Sequence, residues 1–191
     1  IVIASQVVLA LQTLVSREMN PIDPAVVTVG AINGGSKYNI IPEEVHLQIT
    51  VRSFEDATRA HLKEGIFRIA ENIAAAARAP KPKIAYREGV PALYNDPALV
   101  DKLIPVFEEV VGKGNVSESK KEMYGEDFSF FGYKTGIPIF IFWTGSQPKG
   151  KTAEPAMHSP RFAPEFEGTF KTGVSAMTRA VMVVVSSDHF G

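Results

Sequence analysis

Apolar positions recur along the chain with two periods, and they divide it into helices and strands. Ile3, Val7, Ala10, Leu11 and Leu14 are three and four residues apart, which predicts an amphipathic helix from about Ile1 to Glu18. Asn20-Pro21 ends that helix. Residues 25–32 (AVVTVGAI) are β-branched and predict a strand. Asn33-Gly34-Gly35-Ser36 forms a turn cluster, with the return strand starting only after Pro42. From Glu44 to Ser53, Val45, Leu47, Ile49 and Val51 alternate with Glu44, His46, Gln48, Thr50 and Arg52, the pattern of a strand with one face on a core. Asp56 to Arg78 predicts a long helix carrying Leu62, Ile66, Ile69, Ala70 and Ile73 on one face. Pro80-Lys81-Pro82 punctuates, and Lys83 to Arg87 predicts a short strand.

This first part therefore reads α-β-β-α-β. A ferredoxin-like unit is β-α-β-β-α-β. The first strand would lie before Ile1, so the pattern predicts a piece of something longer.

The character of the chain changes near Gly89-Val90-Pro91. Pro97 to Val111 predicts a helix with Pro97 in its first turn. A short strand is expected within Val116–Met123, a short helix from Phe128 to Tyr133 and a buried strand from Pro138 to Thr144 (PIFIFWT). Gly145 to His158 is a polar loop with Gly and Pro punctuation. Glu165 to Val185 predicts a helix with Phe166, Phe170, Val174, Met177 and Val181 on one face. The apolar segment Ile137 to Trp143 is expected to need cover from outside this chain; burial of Ile139 and Ile141 within it would count against that.

Composition narrows the class of protein. With 45% hydrophobic and 21% charged residues in 191, the chain is globular rather than disordered. A formal net charge of -1 argues against a protein that wraps nucleic acid electrostatically. The longest apolar run near the end, Ala180 to Val185, is far short of the roughly 20 residues of a membrane span. The apolar start has no basic flank and fails as a signal peptide. The absence of Cys removes disulfides, thiolate nucleophiles and Cys-ligated zinc. It is compatible with a reducing compartment, and the expected location is the cytoplasm. Four His are too few for a His-rich metal site made by this chain alone.

Candidate chemistry is sparse. His61 lies in a helix and His189 in a polar tail, both read as solvated surface; His46 falls on the polar face of its strand. No Ser sits in a G-x-S-x-G elbow, and Gly34-Gly35 lacks the Lys and spacing of a phosphate cradle. His158 stands apart, in a loop before a helix, where a neutral imidazole can ligate a metal. Glu126-Asp127 opens a short helix; capping of free N–H groups would explain Asp127 and leaves Glu126 less well explained. Asn39, after the turn, and Arg52, on the polar face of the alternating strand, supply an amide donor and a bidentate fork. Together they could hold a ligand carboxylate. Taken singly, each is also an ordinary turn or surface residue.

Five segments in order turn these residues into a resemblance. They are residues 25–30 (AVVTVG), 34–43 (GGSKYNIIPE), 51–54 (VRSF), 124–129 (YGEDFS) and 157–162 (MHSPRF). Together they resemble the metal-dependent amidohydrolases and peptidases that include hippurate hydrolase, aminoacylase, auxin-conjugate hydrolase and N-acetyl-diaminopimelate deacetylase. The opening helix, with residues 11–18 (LQTLVSRE), looks like the hippurate hydrolase branch.

The resemblance implies a mixed α/β (α+β) fold. Residues 1–88 would be a ferredoxin-like lid and dimerisation domain lacking its first strand. Residues 89–191 would be the C-terminal part of a di-metal aminopeptidase-like α/β catalytic domain. It implies hydrolysis of the amide of N-acyl or N-aroyl amino acids with two divalent ions, zinc or manganese. His158 would be a metal ligand, and the general base and most other ligands would lie upstream. Glu126 and Asp127 would shape the site without acting as the base. Asn39 and Arg52 would reach the substrate carboxylate, in some relatives across a homodimer formed by the lid. Neither nucleic acid nor membrane is an expected partner, and the chain alone is expected to be inactive. Two other readings stay open: a non-catalytic dimerisation or binding module, and a carboxypeptidase or dipeptidase of the same family.

Overall fold

Two compact units make up the chain in a computed structural model that describes residues 1–147, 150 and 157–186. One contains Ile1–Ala92 and Glu122–Glu126; the other contains Leu93–Lys121 and residues from Asp127 onward.

In the first unit, α1 (Val2–Thr13) continues into a five-residue π-helical turn, Leu14–Glu18. The predicted stripe is the buried one: Leu11 and Leu14 are fully enclosed and Val7 nearly so. Extended Met19 ends the helix. The Asn20 side chain then accepts the Ile22 N–H, an Asx turn that leads into Pro21's break. β1 (Ala25–Asn33) and β2 (His46–Ser53) form an antiparallel pair whose register runs from Ala25 opposite Ser53 to Asn33 opposite His46. The register slips once, between Val29 and Ala31, so Gly30 sits at a bulge. Leu47, Ile49 and Val51 pack against the core while His46, Gln48, Thr50 and Arg52 are exposed, as the alternation predicts.

α2 (Asp56–Ala76) covers the same core with Leu62, Ile66, Ile69 and Ala70. Gly65 lets it approach closely: a Cβ there would run into the Leu14 side chain. Arg68 and Glu18 pair at 2.5 Å across the two helices. The predicted strand at Lys83–Arg87 is not one, because no partner ladder reaches it among the described residues; Ile84 still packs on the core.

In the second unit, α3 (Pro97–Val111) starts where the sequence places it, with the Asp96 carboxylate accepting the Leu99 N–H at 3.0 Å and Pro97 in the first turn. It stops at Gly112, whose φ of 89° a side chain would resist. α4 (Ser129–Thr135) and α5 (Phe166–Val185) follow. The Glu165 carboxylate caps α5 by accepting from Glu167 and Gly168. Leu103, Phe107, Ala176 and Ala180 form the core, with Phe140, Phe142 and Val116 against it.

Neither of the two later expected strands is found: Val116–Met123 and Pro138–Thr144 carry no strand. Two residues instead hold the second segment. The Asn95 amide donates to the Ile141 carbonyl at 2.8 Å and accepts the Ile141 N–H at 2.9 Å, while the Asp96 N–H donates to the Ile139 carbonyl. The expectation that this segment lacks cover divides. Ile139 is buried and Ile141 half-buried within the chain, whereas Ile137 and Trp143 are about half exposed.

Candidate functional site

The candidate residues fall in both units. Arg52 lies on the outer face of β2, opposite Val26 and near the end of the ribbon that bears no hairpin loop. Its guanidinium donates to the Met123 carbonyl. A strand cation is thereby fastened to the segment that leads into Tyr124-Gly125-Glu126. Sequence reasoning missed this link. The two positions are 71 residues apart, and a backbone carbonyl leaves no signature in residue type. The segment also approaches Val90 closely, since a Cβ on Gly125 would stand 2.7 Å from the Val90 side chain.

Asn39 is exposed in the loop between β1 and β2, beyond the closing pair Asn33–His46. Six residue steps along β2 separate that pair from Arg52, ~20 Å at about 3.4 Å per residue. The ribbon therefore sets Arg52 apart from the closing pair, and no hydrogen bond joins Asn39 to Arg52. They can meet on one small ligand through folding back of the loop or through a second copy of the chain.

Glu126 is half-buried at the end of the first unit's second segment. Asp127 is exposed, and its backbone carbonyl, rather than its carboxylate, accepts the Phe130 N–H at 3.0 Å. α4 has no side-chain cap, so helix capping does not account for Asp127. Two residues further into that motif, Ser129 is 1% exposed and its hydroxyl has no hydrogen-bond partner among the described residues. It closes the segment 124–129, but nothing in the sequence marked its burial.

His158 is exposed in the turn 157–161, which the Ser159 hydroxyl stabilises by accepting the Arg161 N–H at 3.2 Å. Among the described residues, no three His, Cys, Asp or Glu side chains gather as metal ligands. His158 alone therefore does not make a metal centre, and the residues present do not fit one by themselves. His46 and His61 are surface residues, facing Glu44 at 3.2 Å and Glu18 at 3.9 Å. His189 lies outside the described residues. No helix among the described residues is long and apolar enough to cross a membrane.

A hairpin backed by two helices, joined in one chain to helices packed around an extended segment, defines a mixed helix-and-sheet protein with exposed polar loops. Residues 6–183 match the profile of peptidase family M20/M25/M40, and the chain belongs to that family. It is 35% identical over 178 residues to N-acetyldiaminopimelate deacetylase of Bacillus subtilis (strain 168), covering 93% of this chain and 45% of that protein. It is 38% identical over 128 residues to N-acetyl-L-cysteine deacetylase of the same organism, covering 67% and 30%. The crystal structure of the Bacillus subtilis YXEP protein, described as a dinuclear metal binding peptidase from the M20 family, aligns with a TM-score of 0.70. The match has 24% identity over 96% of this chain and 45% of that one. The chain thus spans less than half the length of these relatives.

Proposed function

We propose that this chain forms part of a metal-dependent amidohydrolase, an enzyme that cleaves the amide of N-acyl amino acids. The observation that carries the reading is membership of the family together with the names of two relatives, both deacetylases of N-acetylated amino acids. Those names put acetyl ahead of benzoyl as the acyl group to assay. The hippurate-like spelling of the opening helix is the argument for benzoyl.

Within that enzyme, residues 1–88 act as a ferredoxin-like lid lacking its first strand, and residues 89–191 belong to the catalytic domain. Arg52 binds the substrate carboxylate. It is exposed, keeps donors beyond the one spent on Met123, and offers a planar fork matched to two carboxylate oxygens. Asn39 adds an amide donor, supplied from a second copy of the chain in a homodimer; the length of the ribbon between it and Arg52 supports this arrangement. Both strands have an outer edge open to pairing, which supports association through the lid. Glu126 and Asp127 shape the pocket. His158 contributes one ligand to a pair of zinc or manganese ions whose other ligands come from residues outside this chain. Such ions supply a bound water of lowered pKa and a polarised carbonyl. The enzyme works in the cytoplasm.

The test is Arg52→Ala in the active enzyme, assayed on N-acetyl and N-benzoyl amino acids. Loss of an Arg–carboxylate pair that becomes buried when substrate binds costs about 2–5 kcal/mol, so KM should rise by more than about tenfold with a smaller change in kcat. Unchanged KM and kcat on both substrates would remove Arg52 from the site. Absence of amide hydrolysis with the wild-type enzyme would overturn the reaction itself.

A further inference from the structure

Arg52 is held differently from the arginines that form ion pairs. Arg59, Arg68 and Arg179 each face a carboxylate, of Asp56, Glu18 and Glu109 respectively. Arg52 faces none among the described residues, and its Nη1 donates to the Met123 carbonyl instead. A neutral carbonyl fixes a guanidinium without neutralising it, so its whole charge stays available to an incoming anion. The choice of nitrogen matters as well. A guanidinium carries five N–H donors in one plane, and its Nε–H runs parallel to an N–H of Nη2, on the edge away from Nη1. That edge matches the two oxygens of a carboxylate, and the bond to Met123 leaves it whole.

The carbonyl is itself seated. Glu122–Glu126 belongs to the first unit, although Lys121 and Asp127 on either side of it belong to the second. Met123 is half-buried. Two residues on, Gly125 passes Val90, another residue of the first unit: a Cβ on Gly125 would stand 2.7 Å from Val90 Cγ2, closer than non-bonded carbons pack. Val90 is half-buried and β-branched, so its side chain has few other positions to take. Only a residue without a Cβ lets the segment lie this near, and that approach fixes where the Met123 carbonyl stands. An exposed arginine otherwise loses its rotamer freedom at the moment it binds a ligand; a tether removes part of that loss beforehand.

We propose that the Met123 carbonyl is the positioning group of Arg52. Seated by the close contact of Gly125 with Val90, it holds the guanidinium with the Nε–Nη2 edge free for the substrate carboxylate. The 122–126 segment thereby sets affinity for the amino-acid moiety, and Gly125 and Val90 act through Arg52. The proposal rests on the reading of Arg52 as the carboxylate-binding residue and adds to it the group that orients Arg52.

The experiment measures KM and kcat of the active enzyme on an N-acetyl amino acid. Gly125→Ala should push the segment off Val90 and raise KM by about two- to tenfold, with kcat within about twofold of the wild type and melting unchanged. Val90→Ala alone should leave both constants within about twofold. Combined with Gly125→Ala it makes room for the new methyl group and should bring KM back toward the wild-type value. In an Arg52→Ala background, Gly125→Ala should raise KM no further, because two changes acting through one contact are not additive. Val90→Ile crowds the same contact from the other side and should raise KM likewise, giving the same readout if Gly125→Ala does not fold. Wild-type KM in both crowding variants, in an enzyme where Arg52→Ala raises it, would overturn the proposal and leave Arg52 in the substrate site. A rise of equal size in the Arg52→Ala background would also overturn it, since the segment would then act through Glu126 or Asp127. An unchanged KM in Arg52→Ala itself would remove the substrate reading, and the proposal with it.

Discussion

The hairpin of the first unit and the extended segment of the second contrast in an instructive way. β2 is only half apolar, yet it is a regular strand, because β1 lies opposite it from Ser53 to His46. Pro138–Thr144 is far more apolar and is not a strand, because no partner backbone forms a ladder with it; a side-chain amide and one backbone N–H hold Ile141 and Ile139 instead. Apolar character decided in both cases what is buried. Strand structure required a partner backbone, which the local sequence does not specify.

Three substitutions can break or sharpen that contrast. The largest effect should come from Leu62→Ala, which empties a fully enclosed site between α1, α2 and the hairpin. It should destabilise by about 2–5 kcal/mol in urea denaturation, and a loss below about 1 kcal/mol would mean that the first core is loosely packed. Next comes Asn95→Ala, which leaves the Ile141 N–H and C=O without their partner. A loss of about 1–3 kcal/mol is expected, accompanied by faster exchange of the Ile141 amide. Exchange as slow as in the wild type would show that another group holds that edge. The smallest effect is Ser129→Ala. Removing a buried hydroxyl that has no partner should leave stability unchanged or raise it by about 1 kcal/mol. A clear loss in the melting temperature would reveal a partner for Ser129.

The candidate site was legible only in part. Residue type and spacing singled out Asn39, Arg52, Glu126, Asp127 and His158, because Arg forks, amides, paired carboxylates and loop imidazoles are chemically distinctive. How they meet was not legible. The hold of Arg52 on the Met123 carbonyl spans 71 residues, and nothing in the intervening sequence points to it. The distance of Arg52 from the closing pair Asn33–His46 follows from the register of the hairpin. The local explanation of Asp127 as a helix cap failed because the α4 helix starts two residues later, at Ser129.

By itself the sequence determined the helices, the buried stripes of α1 and α2, the Asp96–Pro97 start of α3 and the alternation of β2. All of these are set by periods of a few residues and by local hydrogen bonds. It did not determine the buried face of α5, which carries Ala176 and Ala180 while the apolar stripe from Phe166 to Val181 is exposed. The tertiary structure decided which extended segments became strands, which edge of Pro138–Thr144 was taken, and which backbone carbonyl Arg52 would hold. Those outcomes depend on groups far apart in the chain, whose pairing is fixed only when the helices and the hairpin pack.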